Sequence, residues 1–395
     1  MTRAASAAPR KDEATGTWWF IVDTGTGPEG QRLQARRKGF RTRREAQEAL
    51  DKLRRSVTTQ TFVAPAKQTL AEYLDSWTAG LPTRLRPSTV DGYKRTLLYV
   101  PPGLGARRLD RVTAADLDGL YADLLASGLR QREGGLSART VRYLHTILHK
   151  ALADAVDRDL LVRNVAEKAK PPRAKDTKPP EQQWWTPEQL RQFLDLTAHE
   201  PLGPVFRLAS MTGMRRGEVC GLRWSDVDLD KARLEVRQQL LVVRSPGAPD
   251  GGLQFSERTK TDHGRRRIDL DPGTVAVLRT QKRRQAEHRL ALGAGWRNEH
   301  DLVFTEPDGR PLDPESVAKV FARRVERSGL PRLRFHDLRH SHTAHLIAAG
   351  TVPILAISKR LGHASTSFTM DRYGHLFEDA GSEAAAAVSA MVDGA

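Results

Sequence analysis

Apolar and polar positions follow one rhythm in the first sixty residues and another through most of the remaining chain. Gly16 to Val22 (Gly-Thr-Trp-Trp-Phe-Ile-Val) concentrates aromatic and β-branched residues and predicts a strand. Glycine and proline between Gly25 and Gly30 mark a turn, and residues 33–40 predict a second strand. Thr42 then predicts a helix N-cap, with Glu45 three residues on as its capping-box partner and Ala46, Ala49, Leu50 and Leu53 facing inward. The Trp18–Trp19 pair suits packing better than base stacking. Residues 1–14 predict a loose tail. Residues 56–68, rich in Ser, Thr, Gln, Pro and Ala, predict a linker.

From about residue 67 the spacing becomes helical. Leu70, Tyr73, Leu74 and Trp77 predict one helix; Pro87-Ser88 starts a second, through Val90, Tyr93 and Leu97. Thr113 opens a third, with Leu117, Leu120, Tyr121, Leu124 and Leu125 inward. Ser137 opens a longer fourth, through Val141, Leu144, Leu148, Leu152 and Val156. Lys94, Arg95, Arg139, Arg142, His149 and Lys150 fall on the outer faces of these helices, where they suit phosphate contacts. Residues 168–183 carry two proline pairs among lysines and predict an extended, basic boundary. Thr186-Pro187-Glu188-Gln189 restarts the chain as a capped helix. Beyond it helices mix with a few strands: one at Leu234 and Val236, one at Arg265 to Leu270, and one at Leu302-Val303-Phe304. Alanine-rich Ser382 to Ala390 predicts a short helix. The domains expected are therefore a small α+β unit at 1–62, an all-α domain at 67–168, a linker at 169–183, and a mainly helical domain with a small β-sheet at 184–395.

Charge adds a partner. The 395 residues contain 64 Lys+Arg against 48 Asp+Glu, a formal +16, which puts polyanions, and nucleic acid first, among the partners. Seven basic residues crowd the stretch from Arg32 to Arg44 (Arg32, Arg36, Arg37, Lys38, Arg41, Arg43 and Arg44) with no acid between them, as a DNA-contacting face would require. The single cysteine, Cys220, excludes an internal disulfide and a cysteine-based zinc site and reads as a packing residue. No apolar run approaches the roughly 18 residues of a membrane span, and Met1 to Lys11 lack the apolar centre of a signal peptide. A cytoplasmic location at the nucleoid, away from membranes, is expected.

Three clusters carry candidate chemistry. In Thr212-Gly213-Met214-Arg215-Arg216-Gly217-Glu218, Gly213 permits a turn and Arg215 falls at a helix start, where backbone N–H groups favour an anion. Glu218 lies one turn on, placed to orient the guanidinium, although such pairs usually only decorate surfaces. Thr259 to Ile268 reads as a β-hairpin tip with Lys260 before the turn. In Phe335-His336-Asp337-Leu338-Arg339-His340, His336 and Arg339 share a helical face, and His340, His342 and His345 follow. Leu361-Gly362-His363 marks a helix end, and Tyr373 lies ten residues on. A phenol, guanidiniums and imidazoles suit attack on a phosphate. No glutamate falls between paired histidines and no glycine loop of the phosphate-cradling kind appears, so neither a metal, ATP nor any other cofactor is expected.

Arg215, Lys260, His336, Arg339, His363 and Tyr373, in that order and in the contexts T-G-x-R-x-x-E, T-K-T, H-x-L-R-H, L-G-H and R-Y-G-H, resemble the catalytic set of the tyrosine recombinases, the phage integrase family. The motifs span Thr212 to His375, and the layout before them is similar too: an arm-type DNA-binding domain, a SAM-like core-binding domain, then the catalytic domain. The resemblance implies site-specific cutting and rejoining of DNA strands through a 3′-phosphotyrosine, integrating or excising a phage or mobile element. Tyr373 would be the nucleophile. Arg215 and Arg339 would hold non-bridging oxygens, and Lys260 would protonate the leaving 5′ oxygen. His336 would take or share the tyrosine proton, His363 would bond a phosphate oxygen, and Glu218 would orient Arg215. The implied partners are double-stranded attachment-site DNA, three further protomers in a homotetramer, and a directionality factor or DNA-bending host protein. His340, His342 and His345 receive no role from it and are expected to pack or lie near DNA. A type IB topoisomerase shares the chemistry without a partner site. A regulator that has lost catalysis would lack catalytic positions, and a metal-dependent nuclease would need paired carboxylates.

Overall fold

Two units account for the chain, Met1–Pro179 and Pro180–Ala395. The structure is a computed structural model, and it describes residues 8–26, 32–58, 68–128, 134–173, 176, 183–243, 252–257, 265–363, 365–374, 389 and 391–392. No helix among them is long and apolar enough to cross a membrane.

The first unit opens with a three-stranded antiparallel sheet of β1 (Arg10–Lys11), β2 (Trp18–Thr26) and β3 (Arg32–Phe40), followed by α1 (Arg43–Thr58). The capping box forms: Thr42 Oγ1 accepts from Glu45 N at 3.1 Å, and the Glu45 carboxylate accepts from Thr42 N at 3.3 Å. Phe20, Val22, Ala46 and Leu50 make the core, with Trp18, Phe40, Ala49 and Leu53 against it. The expected tail is shorter than residues 1–14, because Arg10 and Lys11 pair with Trp19 and Trp18. A turn closed by Asp12 N to Thr17 O at 2.7 Å returns them to the sheet. Arg10 is kept there by lying 5.9 Å from the Trp19 ring centre. At the other end α1 runs on to Thr58, so the front of the expected linker is helical; residues 59–67 lie outside the described residues.

The helical part comprises α2 (Leu70–Gly80), α3 (Pro87–Leu97), α4 (Pro102–Gly105), α5 (Ala114–Ser127) and α6 (Ala138–Asp157). Of these, α2, α5 and α6 start where a side-chain cap stands: Thr69 and Thr113 in full capping boxes, Ser137 on Thr140 N. The predicted stripes are buried around Trp77, Tyr73 and Tyr121. Leu125 departs from its stripe at 42% exposure. The returning chain packs on the Leu124 side, where Leu136 N bonds Leu124 O at 2.7 Å, and leaves Leu125 outward. The expected linker also begins later than residue 169. Ala169 is buried in the helical core, Lys170 N bonds Asp118 Oδ1 at 2.6 Å, and Pro172 O accepts from Arg142 Nη1 at 2.8 Å. A proline cannot donate, but its carbonyl still accepts.

The second unit contains α7 (Pro187–Thr197), α8 (Gly203–Thr212), α9 (Arg216–Cys220), β4 (Val227–Asp228), β5 (Arg233–Val236), β6 (Gln238–Val242), β7 (Leu253–Glu257), β8 (Arg266–Asp269), α10 (Pro272–Leu292), α11 (Pro314–Ser328), α12 (Asp337–Ala348), α13 (Ile354–Leu361) and α14 (Thr366–Tyr373). Thr186 and Gln189 form the capping box at α7. Trp185, Phe193, Phe206, Phe321 and Phe335 interlock at the centre of the core. The strands make an antiparallel β4-β5-β8 sheet and a separate β6-β7 pair. Two expectations meet that topology. First, the β-hairpin tip expected at Thr259 to Ile268 falls largely on residues 258–264, which lie outside the described residues; its described flanks, β7 and β8, pair with β6 and β5. Second, Leu302-Val303-Phe304 is buried, and among the described residues it makes a single bridge, Leu302 to Arg223, in place of a strand pairing. Its carbonyls are met by side chains of α10: Gln281 Nε2 bonds Val303 O at 3.1 Å, and Gln285 Nε2 bonds Leu302 O at 3.1 Å and Val303 O at 3.0 Å. Those amides do what a neighbouring strand would do. The alanine-rich helix expected at Ser382 to Ala390 falls almost entirely outside the described residues.

Candidate active site

Helix α8 ends at Gly213 in the left-handed region, φ 63°. A Cβ there would also lie 2.8 Å from the His342 ring, so glycine is needed twice over. Two residues on, Arg215 caps α9. Its backbone N donates to Glu218 Oε2 and its Nη1 to Glu218 Oε1, both at 2.9 Å. Glu218 is fully buried and takes a second guanidinium: Arg266 Nη2 meets Oε2 at 2.7 Å. One carboxylate thus holds two arginines, which is how a buried charge is kept.

Arg339 arrives from α12, four per cent exposed. Its Nη1 donates to Gly213 O and its Nη2 to Leu361 O, each at 2.7 Å. Arg215 Nη2 reaches Gly362 O at 3.5 Å. The turn after α8 and the left-handed end of α13, Gly362 at φ 66°, therefore bring both guanidiniums to one place. Burial, and then the Arg215 charge beside it, pull the Arg339 pKa down to about 9, which leaves it charged at neutral pH.

His336 caps α12 from a position that reaches solvent. Its imidazole pKa is lowered by desolvation first and then by Arg339, with Arg215 adding to the effect and Asp337 opposing it. That favours the neutral ring, able to accept a proton. His363 follows Gly362 directly, and its Nδ1 pairs with Thr369 Oγ1 of α14 at 2.8 Å. Tyr373 is buried among Ile347, Ile357 and Leu361, with its hydroxyl on His340 Nδ1.

Five of the six predicted residues thus fall on α8–α9, α12, α13 and α14 of this unit, and Arg215, His336 and Arg339 interact electrostatically. Lys260 lies outside the described residues. His342 and His345 pack as expected: Arg360 Nε donates to His342 Nε2 at 3.2 Å, and His345 Nε2 meets Trp185 O at 2.9 Å. Cys220 is fully buried, and desolvation pushes its thiol up to about 12. Sequence reasoning missed three contacts: Arg266 on Glu218, Arg360 on His342, and His340 on Tyr373. For Arg266 a signal existed. It alternates with Ile268 on β8, so it had to face inward.

In the first unit, Ala35 is buried towards α1, while Arg36 and Lys38 stand on the other face opposite Ile21 and Trp19. The Arg36 guanidinium lies 4.4 Å from the Trp19 ring centre, so Trp19 carries a cation instead of joining the core. Arg41 and Arg43 are exposed and Arg37 is half-buried. Arg32 pairs with Asp23, and Arg44 with Glu48 at 3.0 Å.

Comparison with known proteins adds independent findings. Residues 183–379 match the Phage integrase family and residues 9–56 an Arm DNA-binding domain. The chain is 30% identical to an integrase of Streptomyces ambofaciens over 370 residues, covering 92% of this chain and 90% of that one. It is 32% identical to the ICEBs1 integrase of Bacillus subtilis (strain 168) over 254 residues, 62% of this chain and 64% of that one. Among solved structures, the Tn1549 transposon integrase in complex with a circular intermediate DNA superposes with a TM-score of 0.61 at 20% identity, over 78% of this chain and 95% of that one. A lambda integrase tetramer bound to a Holliday junction gives 0.53 at 17% identity, over 91% and 96%. At those identities the likeness is one of fold.

Proposed function

The chain belongs to the phage integrase family, the tyrosine recombinases, which cut and rejoin DNA site-specifically through a 3′-phosphotyrosine, and on that premise we propose that Arg215, Lys260, His336, Arg339, His363 and Tyr373 are its active site. The observation that carries the assignment is the meeting of Arg215 and Arg339 at the carbonyls of Gly213, Leu361 and Gly362, beside His336. Two fixed cations at one point suit the two non-bridging oxygens of a phosphodiester.

In this reading Tyr373 attacks the scissile phosphorus and becomes linked to the 3′ phosphate. The leaving 5′ oxygen takes a proton from Lys260. Arg215 and Arg339 stabilise the charge that develops on the phosphate, Glu218 keeps Arg215 aimed, His363 bonds an oxygen, and His336 shares in moving the phenol proton. A phenolate, with a pKa near 10, leaves far more readily than an alkoxide, so the 5′ hydroxyl of a partner strand can reverse the step. Strand exchange of that kind needs four protomers on two sites. A lambda integrase tetramer on a Holliday junction offers the precedent. Residues 1–62 would bind arm-type sites, 67–168 would grip the crossover core, and 184–395 would do the chemistry, with a directionality factor or DNA-bending host protein as further partners.

The test is a nicked suicide substrate carrying the attachment core. Wild-type protein is expected to accumulate a covalent adduct on it, and Tyr373→Phe to bind equally well and form none. An adduct with Tyr373→Phe would overturn the nucleophile assignment.

A further inference from the structure

Among the histidines of α12, His342 and His345 have partners that account for them, and His336 stands beside the arginines. His340 is different. Its Nδ1 is bonded to the Tyr373 hydroxyl, and the two residues are buried to 5% and 2% exposure. Its ring meets that of His336 at a right angle, with centroids 5.3 Å apart. Among the described residues, the groups beside it include Asp337, which interacts with it electrostatically and is itself gripped by Arg334 through two bonds of 2.8 Å, and the titratable ring of His336. The Tyr373 phenol in turn acts electrostatically on Arg339. A row of groups therefore runs from Tyr373 through His340 to His336, alongside the arginine that would hold the phosphate.

We propose that His340 is a further catalytic residue, the immediate acceptor of the Tyr373 proton during cleavage and its donor during rejoining. The proposal rests on Tyr373 being the nucleophile. A phenol with a pKa near 10 is ionised in only about one molecule in a thousand at neutral pH, and burial of this pair leaves little water to take the proton. With His340 neutral and its own proton on Nε2, the Nδ1 lone pair removes the hydroxyl proton as Oη bonds to phosphorus. The P–O5′ bond breaks, and the 5′ oxygen leaves as a hydroxyl with the Lys260 proton. In rejoining, the 5′ hydroxyl attacks phosphorus and gives its proton back to Lys260. The P–Oη bond then breaks, and His340 returns its proton to Oη. Protons and bonds balance over the cycle. The position of His340, next after Arg339 in the chain, ties the acceptor to the same helix as the phosphate clamp.

The experiment uses the full-length protein on the suicide substrate in single turnover across pH. The variants are His340→Asn, which keeps a polar atom near Nδ1 but cannot titrate, Tyr373→Phe, and both wild type and His340→Asn carrying 3,5-difluorotyrosine, a more acidic phenol, at position 373. His340→Asn is expected to bind the site normally and cleave about a hundredfold more slowly. It should lose the imidazole inflection from the pH profile and recover most of the rate with difluorotyrosine. In otherwise wild-type protein the inflection should stay in place when the phenol is made acidic, a readout that holds even if His340→Asn folds poorly. Cleavage by His340→Asn within twofold of wild type, no rescue by the acidic phenol, or an inflection that moves with the phenol would overturn the proposal. Adduct formation by Tyr373→Phe would instead overturn the assignment beneath it.

Discussion

On β3 and the start of α1, cations stand mostly in solvent; Arg32 and Arg44 each hold a single carboxylate, and Arg36 lies against the Trp19 ring. In the second unit Arg266 and Arg339 are buried, and Arg215 and Arg360 are partly so. Each of these is fixed at named atoms: Glu218, the carbonyls of Gly213, Leu361 and Gly362, and the His342 ring. The same residue type is used in two physical regimes. Exposed cations contribute by releasing counterions from DNA, a term that is additive, weak per residue and sensitive to salt. Buried guanidiniums contribute through position, and removing one partner leaves another charge stranded. The first set should tolerate loss gradually, and the second should not.

The sharpest way to break that contrast is Glu218→Gln. It removes the one carboxylate shared by Arg215 and Arg266, and calorimetry should show about 3–5 kcal/mol of lost stability, as for a broken buried ion pair. A loss below about 1 kcal/mol, the size of a surface pair, would erase the distinction. Next comes pH. Burial first, and then the Arg360 charge, lower the His342 pKa from 6.5 to about 3, and its Nε2 must stay unprotonated to accept from Arg360. Above 6.5 the folded and unfolded forms are both neutral there. Below it the unfolded chain takes a proton that the folded one refuses, so stability should fall as pH drops from 6.5 towards 3, by about 1.4 kcal/mol per unit from this group. Urea titrations of wild type and His342→Gln should differ by that slope, and parallel pH curves would count against it. The smallest effect belongs to the first unit. Arg36→Ala should weaken binding to arm-type DNA only several-fold and reduce the salt slope by about 0.9. A loss as abrupt as that of a clamp residue would mean that Arg36 reads a base instead of a phosphate.

How far the chain could be read in advance depended on how local each cause was. The starts of α1, α5, α6 and α7 were legible because cap and partner lie within three residues: Thr42 with Glu45, Thr113 with Asp116, Ser137 with Thr140, Thr186 with Gln189. The state of Leu302-Val303-Phe304 was not, because it depends on glutamines some twenty residues upstream in α10. The partners of β7 and β8, which are β6 and β5, were equally hidden, since which strand lies beside which is decided by the whole unit. The candidate site divides the same way. Arg215 with Glu218 spans three residues and was visible. Arg266 on Glu218 spans 48 residues and His340 on Tyr373 spans 33, and neither was.

The two bonds that hold Arg339 end on main-chain oxygens, at Gly213 and Leu361. Every residue type brings a carbonyl, so at position 361 the anchor passes through substitution unchanged, provided the replacement keeps the end of α13 in place. Drift can therefore exchange Leu361, whose buried side chain packs beside Tyr373, for an apolar residue of like size while keeping the acceptor that the clamp uses. A change in the backbone reaches that acceptor directly. Replacing the amide carbonyl at that position with an ester, a weaker acceptor, would loosen the arginine with no side chain altered.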